Sequence, residues 1–130
     1  MQVLNKWPPN IAEIQKVFPV SQFNPVFTYG NTLYNPTGGR IPPDLIAHEE
    51  IHEKQQAKMG AENWWKLYLE NKSFRLEQEA EAYRRQYEYG QANYNRQQRK
   101  SLYHEIIKHL SSALYGNLIT IKQAKELINE

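Results

Sequence analysis

The chain contains no cysteine. Disulfides and thiolate-held metals are therefore excluded, and any metal must rest on His, Asp, Glu or water. Neither sign of charge dominates, since 16 Lys+Arg against 14 Asp+Glu leave a formal charge of +2. Such a balance predicts neither nucleic acid nor an anionic membrane as partner. No apolar run approaches the length of a membrane span. The opening residues, Met1-Gln-Val-Leu-Asn-Lys-Trp-Pro-Pro, hold no apolar signal core. The expected location is cytoplasmic, or the interior of a host cell if the gene is viral. Internal repeats, low-complexity stretches and clear linkers are also lacking.

What is present suits a single compact domain over residues 1–130. Hydrophobic residues make up 40% and aromatics 12%, enough apolar surface for one core. Asn10 with Glu13 reads as a capping box opening a short helix that ends before Pro19. Residues 26–34, rich in β-branched and aromatic side chains around Gly30-Asn31, read as a small hairpin. Pro42-Pro43-Asp44 then open a new helix. Beyond it the pattern predicts helices near 43–59, 61–71, 73–90, 95–115 and 121–129. Gly60, Asn71, Gly90 and Gly116 mark the breaks, and Thr120 with Gln123 caps the last helix. The expected fold class is α+β: mostly helical, with a small β-hairpin or sheet preceding the 43–59 helix.

That helix carries His48-Glu49-Glu50-Ile51-His52. Two imidazoles four residues apart point the same way, so both can bind one Zn²⁺. Glu49 sits beside that face, where it can handle the proton of a metal-activated water. The pentad matches the H-E-x-x-H zinc-hydrolase pattern. Helical phase places His48, His52, Gln55 and Met59 on one stripe flanked by Leu45 and Ile51. That predicts the histidines lie within an apolar, core-facing stripe. The bland alternative is two ordinary helix histidines with Glu49 at the surface.

A catalytic zinc needs a third protein ligand and one open position. No histidine follows at metzincin spacing, so the ligand is sought among Glu77, Glu79 and Glu81. Leu76, Ala80, Tyr83 and Tyr87 form the apolar stripe of their helix, with Glu79 at its edge. Glu77 and Glu81 fall on the far side with Arg84, Arg85 and Glu88. A carboxylate on a buried face is costly unless something positive meets it, as zinc would. Glu79 is therefore first choice and Glu77 second. The small Ala80 and Ala82 would let this helix approach the histidine helix closely.

Taken together, residues 20–90 resemble the gluzincins, zinc peptidases with His-Glu-x-x-His on one helix and a glutamate ligand on the next long one. The likeness rests on the pentad with Gln55-Gln56, then Gly60, Trp64-Trp65, Tyr68, and Phe74-Arg75 to Glu79-Ala-Glu-Ala82-Tyr83. It is nearest to the minimal single-domain versions of phage and bacterial genomes. A weaker echo lies at Leu114-Tyr115-Gly116-Asn117. The resemblance implies that His48, His52 and Glu79 are ligands and Glu49 the catalytic base, acting on a peptide or protein substrate. The frame Glu77-Gln-Glu-Ala80-Glu81 fits the family's ligand helix nearly as well as Glu79-Ala-Glu-Ala82-Tyr83. No Asp or Asn follows either alanine.

An oxyanion stabiliser is also required. Tyr115 and His109 are the leading candidates, with His104 and Tyr83 behind them. Each has an ordinary reading as a core aromatic or a surface histidine. The hairpin could offer an edge strand to an extended peptide, or simply cover the core. Trp64-Trp65 and Tyr68 read most simply as core packing. Arg84-Arg85 and Arg96 to Lys100 read as solvated faces rather than a nucleic-acid surface. The competing function is a non-catalytic structural or regulatory protein, such as a phage virion component, that keeps a zinc site for folding.

Overall fold

The computed structural model describes residues 1–18, 20, 25–112 and 119–129. Among them six helices and one three-stranded sheet make a mostly helical α+β fold. In chain order the elements are β1 (Gln2–Leu4), α1 (Ile11–Val17), β2 (Phe27–Tyr29), β3 (Thr32–Tyr34) and α2 (Pro43–Met59). There follow α3 (Ala61–Glu70), α4 (Lys72–Asn93), α5 (Arg96–Leu110) and α6 (Ile121–Asn129). Among the described residues no helix is long and apolar enough to cross a membrane.

The hairpin forms as expected. β2 and β3 pair antiparallel, Phe27 opposite Tyr34 and Thr28 opposite Leu33. Gly30 turns the corner at φ 64°, a left-handed conformation open to glycine at little steric cost. A third strand, β1, adds to the sheet by pairing parallel to β3. Three residues are too few to show alternation, so sequence periodicity passes over it. The order β1-β3-β2 leaves β2 at the edge that packs on α2.

Local signals set most helix ends. Pro42 and Pro43 start α2, and Gly60 at φ 88° stops it. The Asn71 side chain accepts the Phe74 N–H at 2.9 Å to start α4. Thr120 and Gln123 bond reciprocally at the head of α6. Three expectations fail. Asn10 makes no capping bond, because its backbone (φ −101°, ψ 23°) departs from the extended N-cap form that aims the side chain at the helix. Gly90 does not end a helix, because α4 runs on to Asn93. A Cβ at Gly90 would lie 2.5 Å from Leu102 Cδ2, so this glycine serves the close approach of α5. Finally, α5 ends at Leu110 rather than 115. The Ser111 and Ser112 hydroxyls take carbonyls of its last turn, at Ile107 and His109. Residues 113–115 of that span and the Gly116 break lie outside the described residues.

Two apolar clusters hold the helices. Ile14, Phe18, Val20, Phe27, Trp64, Trp65 and Tyr68 join α1, β2 and α3. Tyr83, Leu102, Ile106, Ile107, Leu110, Ala124 and Ile128 join α4, α5 and α6. α2 lies along α4, where Ala80 and Ala82 are buried. His52 meets Trp64 of the first cluster at 5.2 Å between ring centres, and His48 meets Tyr83 of the second at 4.4 Å. The paired histidines thus sit between the two clusters.

Candidate metal centre

The buried face of α2 corrects the apolar stripe read from phase. It consists of Asp44, Ala47, His48, Glu49, His52, Gln55 and Gln56, while Leu45, Ile51 and Met59 are only half-buried. A polar face can be buried only if its groups are paired. Asp44 accepts from Gln86 Nε2 at 2.8 Å and from the Tyr94 hydroxyl at 2.6 Å. Gln56 donates to the Thr28 carbonyl at 2.8 Å and accepts from the Gly30 N–H at 2.7 Å, pinning the hairpin to α2.

The remaining groups converge with Glu79 of α4. His52 Nε2 lies 2.8 Å from Glu79 Oε1 and 3.1 Å from His48 Nε2, and His48 Nε2 lies 3.3 Å from the same oxygen. A tetrahedron with arms of 2.0–2.1 Å has edges of about 3.3 Å. The three atoms are therefore spaced as ligands of one small ion, and this buried group could hold a metal. Glu77, the second choice, is exposed and takes no part. About half a turn of helix decides between them: Glu79 faces α2, and a two-residue step carries Glu77 to the opposite side.

Electrostatics hold the cluster together. Burial works against charge on Glu79, yet the two imidazoles beside it keep its carboxyl well below the ordinary carboxylate range. Burial likewise opposes charge on His52, but the Glu79 and Glu49 carboxylates push its pKa up to about 9. The other Glu79 oxygen accepts from the Tyr68 hydroxyl at 2.5 Å. Glu49 is buried beside the triad and accepts from Thr28 Oγ1 at 3.3 Å. Burial raises its pKa, opposed by His52 and His48. A cavity of about 70 Å³ opens here. Ile14, Phe18, Val20 and Phe27 line its apolar side, and Glu49 and the triad line its polar side.

Of the oxyanion candidates, Tyr83 packs directly on a triad histidine, buried against His48. Tyr115 lies outside the described residues. His104 and His109 are exposed on α5, His109 in its last turn. Desolvation of its ring lowers the His109 pKa; Glu105 opposes that, and Lys108 and His48 add to it. The edge strand is partly spent: the Thr28 carbonyl, on the outer side of β2, already accepts from Gln56 and from Trp65 Nε1. Two cations of the basic clusters are spent likewise, Arg84 on the Leu127 carbonyl and Arg99 on the Tyr94 carbonyl.

Sequence reasoning passed over four supporting residues. Tyr68 looked like simple core packing, and its role depends on a partner on another helix. Gln55 shares the histidine stripe, but phase alone shows no partner for it. Glu81 falls on the far side of its helix by phase, yet accepts from Gln55 Nε2 at 2.7 Å. Thr28 sat in an unremarkable strand. The one readable signal was the placement of Gln55 three residues after His52, within reach on a helix. Comparison with protein-family models, with curated proteins and with solved structures found no match to this chain.

Proposed function

We propose that the chain is a zinc-dependent hydrolase, a peptidase of the gluzincin type. The observation that carries this reading is the convergence of His48, His52 and Glu79 on one point beside Glu49. Two imidazoles and one carboxylate suit zinc, and three protein ligands rather than four among the described residues suit a catalytic site. When bound, zinc would lower the pKa of a coordinated water and polarise a substrate carbonyl. His48, His52 and Glu79 would hold it. Glu49 would take the proton of the attacking water and pass it to the leaving amine. The upward direction of the Glu49 pKa supports this role, because a more basic carboxylate takes a proton more readily. Thr28 steadies the carboxylate it must use. The apolar cavity wall would seat part of a peptide substrate.

One observation favours a second reading. His48, Glu49, His52 and Glu79 are each at most 5% exposed, as in a closed structural site. The competing function is a structural or regulatory zinc protein, of the kind a phage virion could use. The two part at Glu49. One equivalent of zinc in purified protein and none in His48→Ala would support the metal site. Glu49→Gln should keep the zinc and lose peptide hydrolysis. A variant that cleaves as well as the parent would overturn the hydrolase reading.

A further inference from the structure

His48 and His52 present the same ring atom, Nε2, to the centre, yet they are braced differently. His52 Nδ1 lies 2.8 Å from Gln55 Oε1. His48 Nδ1 has no hydrogen-bond partner among the described residues. The asymmetry traces to the amide of Gln55. Its Nε2 meets the Gln78 carbonyl at 3.1 Å and Glu81 Oε1 at 2.7 Å. Both partners can only accept, so both amide protons are committed. Turning the amide over would set its oxygen against a carboxylate and a carbonyl. Gln55 Oε1 must therefore face His52, and the neutral His52 ring must carry its proton on Nδ1. Its Nε2 lone pair is then left toward Glu79 and His48.

We infer that Gln55, braced by Glu81, is a positioning residue that selects the metal-binding tautomer of His52. The chain of contacts runs from an exposed carboxylate on α4, through a buried amide on α2, to a ligand atom. It rests on the metal-site reading but not on the reaction that follows. A mere helix clamp would contribute to stability; a tautomer selector also sets the proton position on His52 and the affinity for the ion.

The test uses the full chain and Zn²⁺ alone, with chelator competition for affinity. Two-bond ¹H–¹⁵N spectra of the imidazoles report which nitrogen is protonated. Gln55→Met fills similar space without an acceptor and should weaken zinc binding about 10–100-fold. The pair Gln55→Glu with Glu81→Gln restores an acceptor for His52 and a donor beside it, at the cost of a carboxylate oxygen facing the Gln78 carbonyl, and should still bind more tightly than Gln55→Met. Glu81→Ala removes the acceptor of the Gln55 amide and changes only an exposed side chain, so the fold survives. It should bind zinc measurably more weakly with an unchanged melting temperature. Wild type should show zinc on Nε2 and the proton on Nδ1 of His52. Wild-type affinity in Gln55→Met, or equal losses in Gln55→Met and the double variant, overturns this inference and leaves the metal site standing. If Gln55→Met does not fold, unchanged affinity in Glu81→Ala overturns it as well. Wild type that takes up no zinc overturns the metal site, and this inference with it.

Discussion

Tyr68→Phe isolates the hydroxyl that meets Glu79. The ring itself is held on three sides: it stacks on Trp64 at 4.8 Å and meets Trp65 and Phe18 edge-on. Phenylalanine keeps those contacts and removes one oxygen. Glu79 Oε2 then loses the donor at 2.5 Å and stays buried as a charged acceptor. A hydrogen bond to a charged group contributes about 1.5–3 kcal/mol. In a chain of this size, about 2 kcal/mol lowers the melting temperature by roughly 7 °C. Because Oε1 of the same carboxylate faces both histidines, its aim should loosen too, with zinc affinity falling about tenfold or more. Calorimetry on chelator-treated protein near neutral pH gives the first number, and competition titration gives the second. The gap should close in strong acid, where a protonated Glu79 no longer favours a donor. A melting temperature within about 1 °C of the parent, with unchanged zinc affinity, would refute the reasoning.

Other outcomes follow from the same contacts. Metal-free protein should lose stability in alkali. The His52 pKa is raised in the fold, so its contribution is complete below about pH 6.5 and lost as pH rises through about 9. The depressed Glu79 pKa contributes above the ordinary carboxylate range and is lost as pH falls through its folded value. Urea midpoints of the chelated protein should therefore be higher near pH 6 than above pH 9; a flat profile contradicts the pairing. Zinc uptake must displace the His52 proton, so affinity should climb over that same range, and an affinity independent of pH would count against His52 as a ligand. Glu49→Gln should raise the melting temperature of metal-free protein at neutral pH by a few degrees, because it removes a buried carboxylate whose pKa burial raises; a lower value would show that the charge is better satisfied than argued. Gly90→Ala should destabilise by about 1 kcal/mol, as overpacking against Leu102 outweighs the helix-propensity gain. A rise in melting temperature would mean that Leu102 yields freely.

Legibility from sequence followed distance along the chain. The pentad was readable because one helical turn relates its members, and Glu79 because a single helix's phase separates it from Glu77. The hairpin, the proline start of α2 and the Thr120–Gln123 cap are likewise local. What escaped was held by partners far away in sequence. Arg75 looks like one more charge on a charged helix, yet it is buried. It donates from Nε to the Tyr68 carbonyl at 2.8 Å and from Nη2 to the Leu69 carbonyl at 3.0 Å, closing the end of α3. Its guanidinium lies 4.7 Å over the Phe18 ring. Burial lowers its pKa, against the pull of Tyr68 and Glu79. No periodicity announces such a residue, since its position reads as polar and its neighbours come from other elements. The inner side of α2 misled for the same reason: an amphipathic pattern cannot show that polar groups will be matched one by one from β2 and α4.

That inner side has a consequence for how the helices find their alignment. Oily surfaces adhere over a range of offsets, so two greasy helices can slide by a residue at small cost. Asp44, His48, His52, Gln55 and Gln56 permit no such slippage, because each needs its own counterparts at fixed angles. A shift of a single residue would strand them all at once. α2 therefore works as the registration key of the molecule, admitting only the offset at which three ligand atoms meet.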